Sequence, residues 1–248
     1  MNGQLTQQHL RDFYRRDYVD RHATTLNDRL SRLLPHIDWH ADDRVLDCAC
    51  GSGQFLELIH KRVAHYVGVD FSAEFIHKCT EQQAEAGIRN GEFVRADLVD
   101  FCTAHPQEFD KCFALDFSEH LYDDDFVRIF RAIRASLKDG GRLYIHTPSA
   151  DYFLEKLKAA GILKNDPTHI GVRNGPQMCR LLNEAGFDSP HVQHLAHYVK
   201  PLKRLHALSA VPGIGRWFRA RLFITCLKTT RENERKTTDP RRPQLAGA

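Results

Sequence analysis

The sequence has no apolar run long enough to cross a bilayer and almost no net charge. Its 35 Lys and Arg stand against 32 Asp and Glu, a balance of +3. A membrane-spanning helix needs about 20 consecutive apolar residues, so none is expected here. A charge so close to zero gives no electrostatic reason to expect nucleic acid as the main partner. The seven cysteines are odd in number and scattered, with no C-x-x-C pair. Cys48 and Cys50 flank a single residue, Ala49. This argues against a disulfide framework and for a reducing, cytoplasmic setting. The opening Met1-Asn-Gly-Gln-Leu-Thr6 is polar and lacks the core of a signal peptide. Internal repeats are absent, and neither N-P-P-Y nor D-P-P-Y follows the fourth predicted strand.

What is present centres on Val45-Leu-Asp-Cys-Ala-Cys-Gly-Ser-Gly-Gln-Phe55. A short apolar run ends in Asp47, a turn of small residues follows, and a helical pattern begins at Gln54. A strand, a glycine turn and a helix N-terminus let a nucleotide-like ligand approach bare backbone. A dinucleotide fingerprint G-x-G-x-x-G, counted from Gly51 and Gly53, would need glycine at Leu56. Its absence weakens the case for an NAD(P)-dependent oxidoreductase. By itself the turn is also compatible with a purely structural role.

From Arg44 onward strands and helices alternate: strand 44–48, helix 53–64, strand 65–70, helix 73–86, strands 91–96 and 111–116, helix 124–137, strand 142–146 and helix 175–185. Alternation of this kind predicts an α/β fold, a Rossmann-like parallel sheet with helices on both faces. Two β-rich stretches, 192–199 and 219–229, are joined without a helical crossover, so an antiparallel pair is expected there. The chain is expected to divide into an N-terminal helical segment (1–40), a main domain (41–229) and a polar tail without fixed structure (230–248). The N-terminal segment carries Phe13, Tyr14 and Tyr18, either a lid or a packed helix. The main domain carries insertions at 149–172 and 200–218.

In an open α/β sheet ligands bind at the carboxyl ends of the strands. The second strand ends in Asp70, about twenty residues past the glycine turn, the spacing at which a carboxylate accepts ribose hydroxyls. The third ends in Asp97, followed by Leu98, and Phe71 follows Asp70. Each acid alone also reads as ordinary helix capping. Their order after the glycine turn is what points to a site.

Residues 47–53 resemble motif I of the class I S-adenosyl-L-methionine (SAM) methyltransferases, D-x-G-x-G-x-G. Asp47, Gly51 and Gly53 match it, and Ala49 stands where the first glycine is usual. A second stretch, Asp110-Lys-Cys-Phe-Ala-Leu-Asp116-Phe-Ser-Glu119-His120, resembles the D-V-V-x-x-x-E-V-L-E-H segment of the ubiquinone-biosynthesis O-methyltransferases. Leu137-Lys-Asp-Gly-Gly141 stands where that group has L-K-P-G-G, and the resemblance covers roughly residues 43 to 190. It implies a class I fold, a seven-stranded mostly parallel sheet with an antiparallel last strand. It also implies SAM as cofactor, held by Asp47, Ala49, Gly51, Gly53, Asp70, Phe71, Asp97, Leu98 and Asp116, with Asp97 on the adenine amino group. In the resembling group an E-x-x-E-H element is associated with magnesium near the acceptor hydroxyl. Here Asp116 replaces the first Glu, a shorter arm that loosens or shifts such a site.

Asp116, Glu119, His120 and His169 are therefore candidate ligands of Mg2+ or another divalent metal. Glu119, His120 and His169 are also candidates for moving the acceptor's proton, and His146 ranks below them. Residues 116–120 also fit a helix-cap cluster with a structural role. An oxygen of a small-molecule acceptor is the expected methyl target: a phenol or catechol, a quinone precursor or a secondary metabolite. The sequence also leaves open a non-catalytic SAM-binding protein and an RNA methyltransferase. In residues 200–218, Leu202, Leu205 and Leu208 alternate with Lys200, Lys203 and Arg204. This suits a solvated helix over the sheet, the commoner case, and also peripheral contact with a membrane surface.

Overall fold

The structure is a computed structural model and describes residues 26–229. The expected aromatic lid residues Phe13, Tyr14 and Tyr18 and the tail 230–248 lie outside the described residues. Helix α1 (Leu26–Ser31) leads through a 3-10 turn (Leu34–His36) into strand β1 (Arg44–Cys48). There follow α2 (Gln54–Ile59), β2 (His65–Asp70), α3 (Ala73–Glu85), β3 (Gly91–Arg95), α4 (Leu98–Ala104) and β4 (Phe109–Leu115). The second half comprises α5 (Asp123–Ser136), β5 (Leu137–Pro148), α6 (Phe153–Ala159), α7 (Gly175–Glu184), β6 (Asp188–Leu195), α8 (Lys200–Arg204) and β7 (Arg221–Leu227).

The strands form one seven-stranded sheet in the order β3-β2-β1-β4-β5-β7-β6. β7 runs antiparallel to both its neighbours, and the remaining pairs are parallel. This is the Rossmann-like class I arrangement that the alternation and the resemblance predicted. The strand order reverses between β1 and β4, and that switch point is where an open α/β sheet leaves a crevice beyond its carboxyl ends.

Each face of the sheet carries its own core. On one, α5 presents Phe126, Ile129, Phe130 and Ile133 at i, i+3, i+4 and i+7, packed with Leu181 and Leu182 of α7. On the other, Phe55 and Leu56 of α2 pack with Val45, Tyr66, Phe113 and Tyr144. Each such buried side chain contributes about 1.5–3 kcal/mol of transfer free energy. Three aspartates in the first turn of α5 complement its helix dipole.

Several expected boundaries move. α2 stops at Ile59 rather than Ala64, because Asn90 Nδ2 donates to the carbonyls of His60 (2.7 Å) and Val63 (3.0 Å) and turns the chain down. The Leu137–Gly141 segment, expected to close α5, begins β5 instead. Leu137 pairs with Phe109, and a register slip follows before Lys111 pairs with Arg142. β6 begins at Asp188, four residues before the predicted start. Residues 200–218 form α8 and two 3-10 turns, Leu205–Ala210 and Gly215–Phe218, rather than one amphipathic helix. No helix among the described residues is long and apolar enough to cross a membrane.

Candidate active site

A cavity of about 640 Å³ opens at the carboxyl edge of the sheet, above the switch point. One half is floored by the β1–α2 turn. Cys48 closes β1, and Ala49 and Gly51 then adopt left-handed backbone at φ +58° and +52°. Such a conformation suits glycine, and alanine holds it with strain. A side chain at Gly51 would meet nothing within 4 Å, so the turn presents open backbone to the cavity.

Asp70, at the tip of β2, accepts from Gly51 N (3.0 Å) on one oxygen and Ser72 N (2.9 Å) on the other. Each carboxylate oxygen keeps a second lone pair for a ligand hydroxyl. Burial raises its pKa, and the hydrogen bonds from Ser72, Gly51 and Phe71 oppose the rise. Asp97 follows β3 and caps α4 by accepting from Val99 N (2.9 Å) and Asp100 N (3.4 Å). It also lines the cavity beside Leu98, with Phe71 at the rim. The capping and ligand readings of these acids thus coexist.

Asp47 is buried beneath the turn and accepts the Tyr66 hydroxyl at 2.6 Å. Burial raises its pKa to about 7, against the lowering effect of that bond and with a further upward push from Asp70. Gly53 is the one expected cofactor residue that does not line the cavity. A Cβ there would stand 2.7 Å from the Phe93 ring and 2.8 Å from Cys79 Sγ. Gly53 serves the close packing of α2 on β3 and α3.

The other half gathers residues from three elements. The chain leaves β4 through Asp116, again left-handed at φ +54°. A 3-10 turn (Ser118–His120) then points Glu119 and His120 inward. The 149–172 insertion supplies Tyr152, Glu155, Lys158, Asp166 and His169 to the cavity wall. Ligand atoms of Glu119, His120 and His169 lie within 4.8 Å of one another, and the two imidazole centroids are 5.0 Å apart, edge to face.

Glu119 is 2% exposed and accepts from Thr147 Oγ1 at 3.0 Å. Burial lifts its carboxyl to about 7. His120 Nδ1 lies 3.1 Å from the Thr168 carbonyl, which assigns that nitrogen as the donor and leaves the Nε2 lone pair facing the cavity. Burial, helped by His169, lowers His120 to about 4.

The structure does not bring Asp116 to this trio. Its carboxylate pairs with Arg29 of α1 at 2.8 Å and with Arg221 at the start of β7. His146 Nδ1 stands 3.4 Å from the same carboxylate, and burial lowers the pKa of His146 to about 3. The short arm on a left-handed backbone places the Asp116 carboxylate with the two arginines and His146, outside the cluster of Glu119, His120 and His169. The expected role of Asp116 as a fourth metal ligand is therefore not supported by its position.

Two arginines central to this half do not stand out in the sequence. Arg221 sits at the head of an otherwise apolar strand, Arg-Leu-Phe-Ile-Thr-Cys-Leu, and that misplaced charge is the available signal. Arg173 is 5% exposed. It donates to the carbonyls of Ser118 (2.9 Å), Gly171 (2.8 Å) and Leu121 (2.7 Å) and to Asp123 Oδ1 (2.8 Å), with its guanidinium carbon 5.0 Å from the Phe126 ring centroid. It ties the 118–121 turn to the insertion. Gly171 allows the same approach, since a Cβ there would collide with Leu121 O. Roofing this half, Tyr152 stacks on His197 (5.8 Å), His197 on Tyr198 (4.5 Å), and Arg29 lies over Tyr198 (5.8 Å).

Residues 45–141 match the methyltransferase domain family. Over 165 residues the chain is 26% identical to the ubiquinone biosynthesis O-methyltransferase of Aeromonas salmonicida, covering 60% of this chain and 68% of that protein. It is 31% identical over 94 residues to a 23S rRNA (uracil(1939)-C(5))-methyltransferase of Salmonella choleraesuis, 38% of this chain and 22% of that protein. A SAM-dependent methyltransferase from Archaeoglobus fulgidus has the same fold, with a TM-score of 0.62 at 19% identity over 81% of this chain and 93% of that one. Over residues 45–141 the chain thus resembles methyltransferase domains, and it shares its fold with a SAM-dependent methyltransferase.

Arg173→Lys is expected to lower the free energy of urea unfolding by about 2 kcal/mol, because a single ammonium cannot serve the separated acceptors of a guanidinium fork. An unchanged midpoint would show the clamp to be unimportant. Asp47 yields a pH prediction. Its folded pKa lies near 7, above the ordinary 3.8. The stability it contributes is complete below 3.8 and is lost as pH rises through 7. In Asp47→Asn, unfolding measured at intervals from acid to neutral pH should show a smaller decline than in the parent protein.

Proposed function

We propose that this methyltransferase domain transfers the SAM methyl group to a hydroxyl oxygen of a small-molecule acceptor, of the phenol, catechol or quinone-precursor kind. The observation that carries the reading is the cavity shared by the open-backbone turn with Asp70 and Asp97 on one side and Glu119, His120 and His169 on the other. The ubiquinone-biosynthesis relative supports an oxygen acceptor. Uracil C5 chemistry needs a nucleophilic thiol. Cys50 is the only cysteine among the described cavity-lining residues, it sits on the cofactor side, and burial pushes its thiol well up.

The residues divide the work. Asp70 offers its remaining lone pairs to the ribose hydroxyls, Asp97 faces the adenine amino group, and Phe71 and Leu98 flank the ring. Amides of the 49–51 turn meet the carboxylate end, and Asp47 and the other acids complement the cationic centre. When bound, SAM supplies a methyl group activated by its sulfonium, and displacement at that carbon requires donor and acceptor in line with water excluded. The Tyr152–His197–Tyr198 stack covers the acceptor and fixes its plane. His120 Nε2, with Glu119 beside it, takes the acceptor's proton. As the alternative to His120 acting as base, Glu119, His120 and His169 would hold a divalent cation, which would lower the pKa of a hydroxyl bound to it.

The reading extends to how the acceptor arrives. Val199, Val211, Ile214 and Trp217 are each about 40% exposed in the segment between Tyr198 and Ala220, two residues that line the cavity. Lys200, Lys203, Arg204, Arg216 and Arg219 stand among them, and no Asp or Glu occurs from 189 to 231. Exposed apolar side chains interspersed in sequence with cations support a peripheral contact with an anionic lipid surface carrying a tailed acceptor. Cosedimentation with vesicles containing phosphatidylglycerol should exceed that with neutral vesicles and fall in Trp217→Ser/Ile214→Ser. Equal recovery on both vesicle types would remove this extension.

The central reading is tested by calorimetry with SAM, then by release of S-adenosylhomocysteine on incubation with catechols. Asp70→Ala should weaken SAM about tenfold or more. His120→Ala should keep SAM affinity and lose turnover. Heat with NADH but none with SAM, or turnover on RNA alone, would overturn the proposal.

A further inference from the structure

Six side chains close a ring around one corner of the cavity, and all six line it. Arg221 pairs with Asp116, and Asp116 pairs with Arg29 at 2.8 Å. The Arg29 guanidinium lies over Tyr198, Tyr198 stacks on His197, and His197 stacks on Tyr152. Backbone completes the circuit. Arg221 stands opposite Pro148, Ser149 N donates to Ala220 O at 3.1 Å, and Tyr152 N donates to Ser149 O at 3.0 Å.

We infer that this corner is a carboxylate subsite: besides the hydroxyl to be methylated, the acceptor carries a carboxylate that Arg221 and the Tyr152 hydroxyl bind. The inference rests on the hydroxyl-methylation reading and narrows its acceptor to hydroxyaryl carboxylic acids.

The first ground is the state of Arg221, which is 9% exposed. The one carboxylate it pairs with among the described residues, Asp116, is shared with Arg29. His146 brings no negative charge; it only accepts from Arg221 Nε through Nε2 at 3.3 Å. Burial and the neighbouring charge of Arg29 both work against the cationic form of Arg221. A further anion would relieve both. The contacts to Asp116 and His146 use Nε and Nη2, and no hydrogen bond among the described residues uses Nη1.

The second ground is independent of charge. Tyr152 is 2% exposed, and its hydroxyl finds no hydrogen-bond partner among the described residues. Water in the open cavity can serve both groups. In-line methyl transfer requires that water to leave, and a ligand that displaces it must accept from both donors or strand them.

Ligand shape follows from the surroundings. Guanidinium N–H and phenol O–H donors together suit the two oxygens of a carboxylate. The stacked His197 and Tyr152 rings suit a flat aromatic body attached to it.

The test is calorimetry on the full chain saturated with S-adenosylhomocysteine. The two ligands are 3,4-dihydroxybenzoate and 3,4-dihydroxybenzamide, alike in ring and size and different in charge. The benzoate should bind at least tenfold tighter. Arg221→Gln should bring that ratio close to one, and Arg221→Lys should restore part of it. Tyr152→Phe removes only the unpaired hydroxyl and should narrow the ratio about threefold. Heat from S-adenosylhomocysteine alone shows that each variant is folded. If Arg221→Gln does not fold, Tyr152→Phe decides.

Equal binding of the two compounds, or a ratio that neither variant changes, would overturn the inference. So would weaker S-adenosylhomocysteine binding in Arg221→Gln with the ratio intact, which would give the guanidinium to the cofactor's own carboxylate. Preference for the benzoate with no methylation of either compound supports the subsite and overturns the methyl-transfer reading. Methylation of both compounds with equal kcat/KM overturns the subsite alone.

Discussion

The acceptor half of the cavity depends on one guanidinium. Arg173 is almost wholly buried, yet most of its hydrogen bonds end on backbone carbonyls rather than on a charge. Carbonyls of Ser118 and Leu121 belong to the turn that carries Glu119 and His120, and that of Gly171 belongs to the loop that carries His169. Without a multidentate donor at their junction, three inward-facing carbonyls would be desolvated and unpaired. The planar fork joins the two segments and gains its own counter-charge from Asp123. Burial alone would raise that carboxyl, but hydrogen bonds and charge from Arg173 and Arg180 outweigh it and hold its pKa low. The convergence of three potential ligands is thus a result of backbone satisfaction some distance from any of them.

The cofactor half is built differently. Its parts are strand tips whose positions follow from sheet register; Asp70 and Asp97 are fixed by bonds to amides two or three residues on, Asp70 also by Gly51 across the turn, and Asp47 by the Tyr66 hydroxyl on the neighbouring strand. Little long-range cooperation is needed, and the site is correspondingly local in sequence. The acceptor half draws on α1, the turn after β4, the long insertion and the start of β7, elements far apart in the chain. A scaffold of this kind can keep one half constant while the other is rebuilt for a new acceptor.

This difference explains what could be read from the sequence. The alternation of periods located the strands that matter: β1 and β2 begin and end where apolar runs and turn residues said they would. Asp47, Asp70 and Asp97 followed from strand ends. Gly53 packs against Phe93 and Cys79 rather than lining the cavity, because the motif's spacing does not say which glycine faces a ligand and which faces a ring. The premature end of α2 depended on Asn90, thirty residues away, beyond any local pattern. Asp116 was assigned by homology of spacing, but the arginines that claim it come from positions 29 and 221, and no periodicity links those. No local pattern sets Arg173 apart from the chain's other arginines. Only its neighbours in space distinguish it.

The reversed direction of β7 has a consequence of its own. Parallel strands deliver only their final residues to the ligand edge, so whatever lies there is followed by a loop that begins at the site. β7 approaches from the other side, and its first residue, Arg221, arrives opposite Pro148 at that same edge. The segment leading into it, rather than the one leading out, is therefore what sculpts this corner. Insertions or deletions between 196 and 220 can reshape substrate choice there while leaving every parallel crossover untouched, which makes that stretch a natural place for the lineage to diversify.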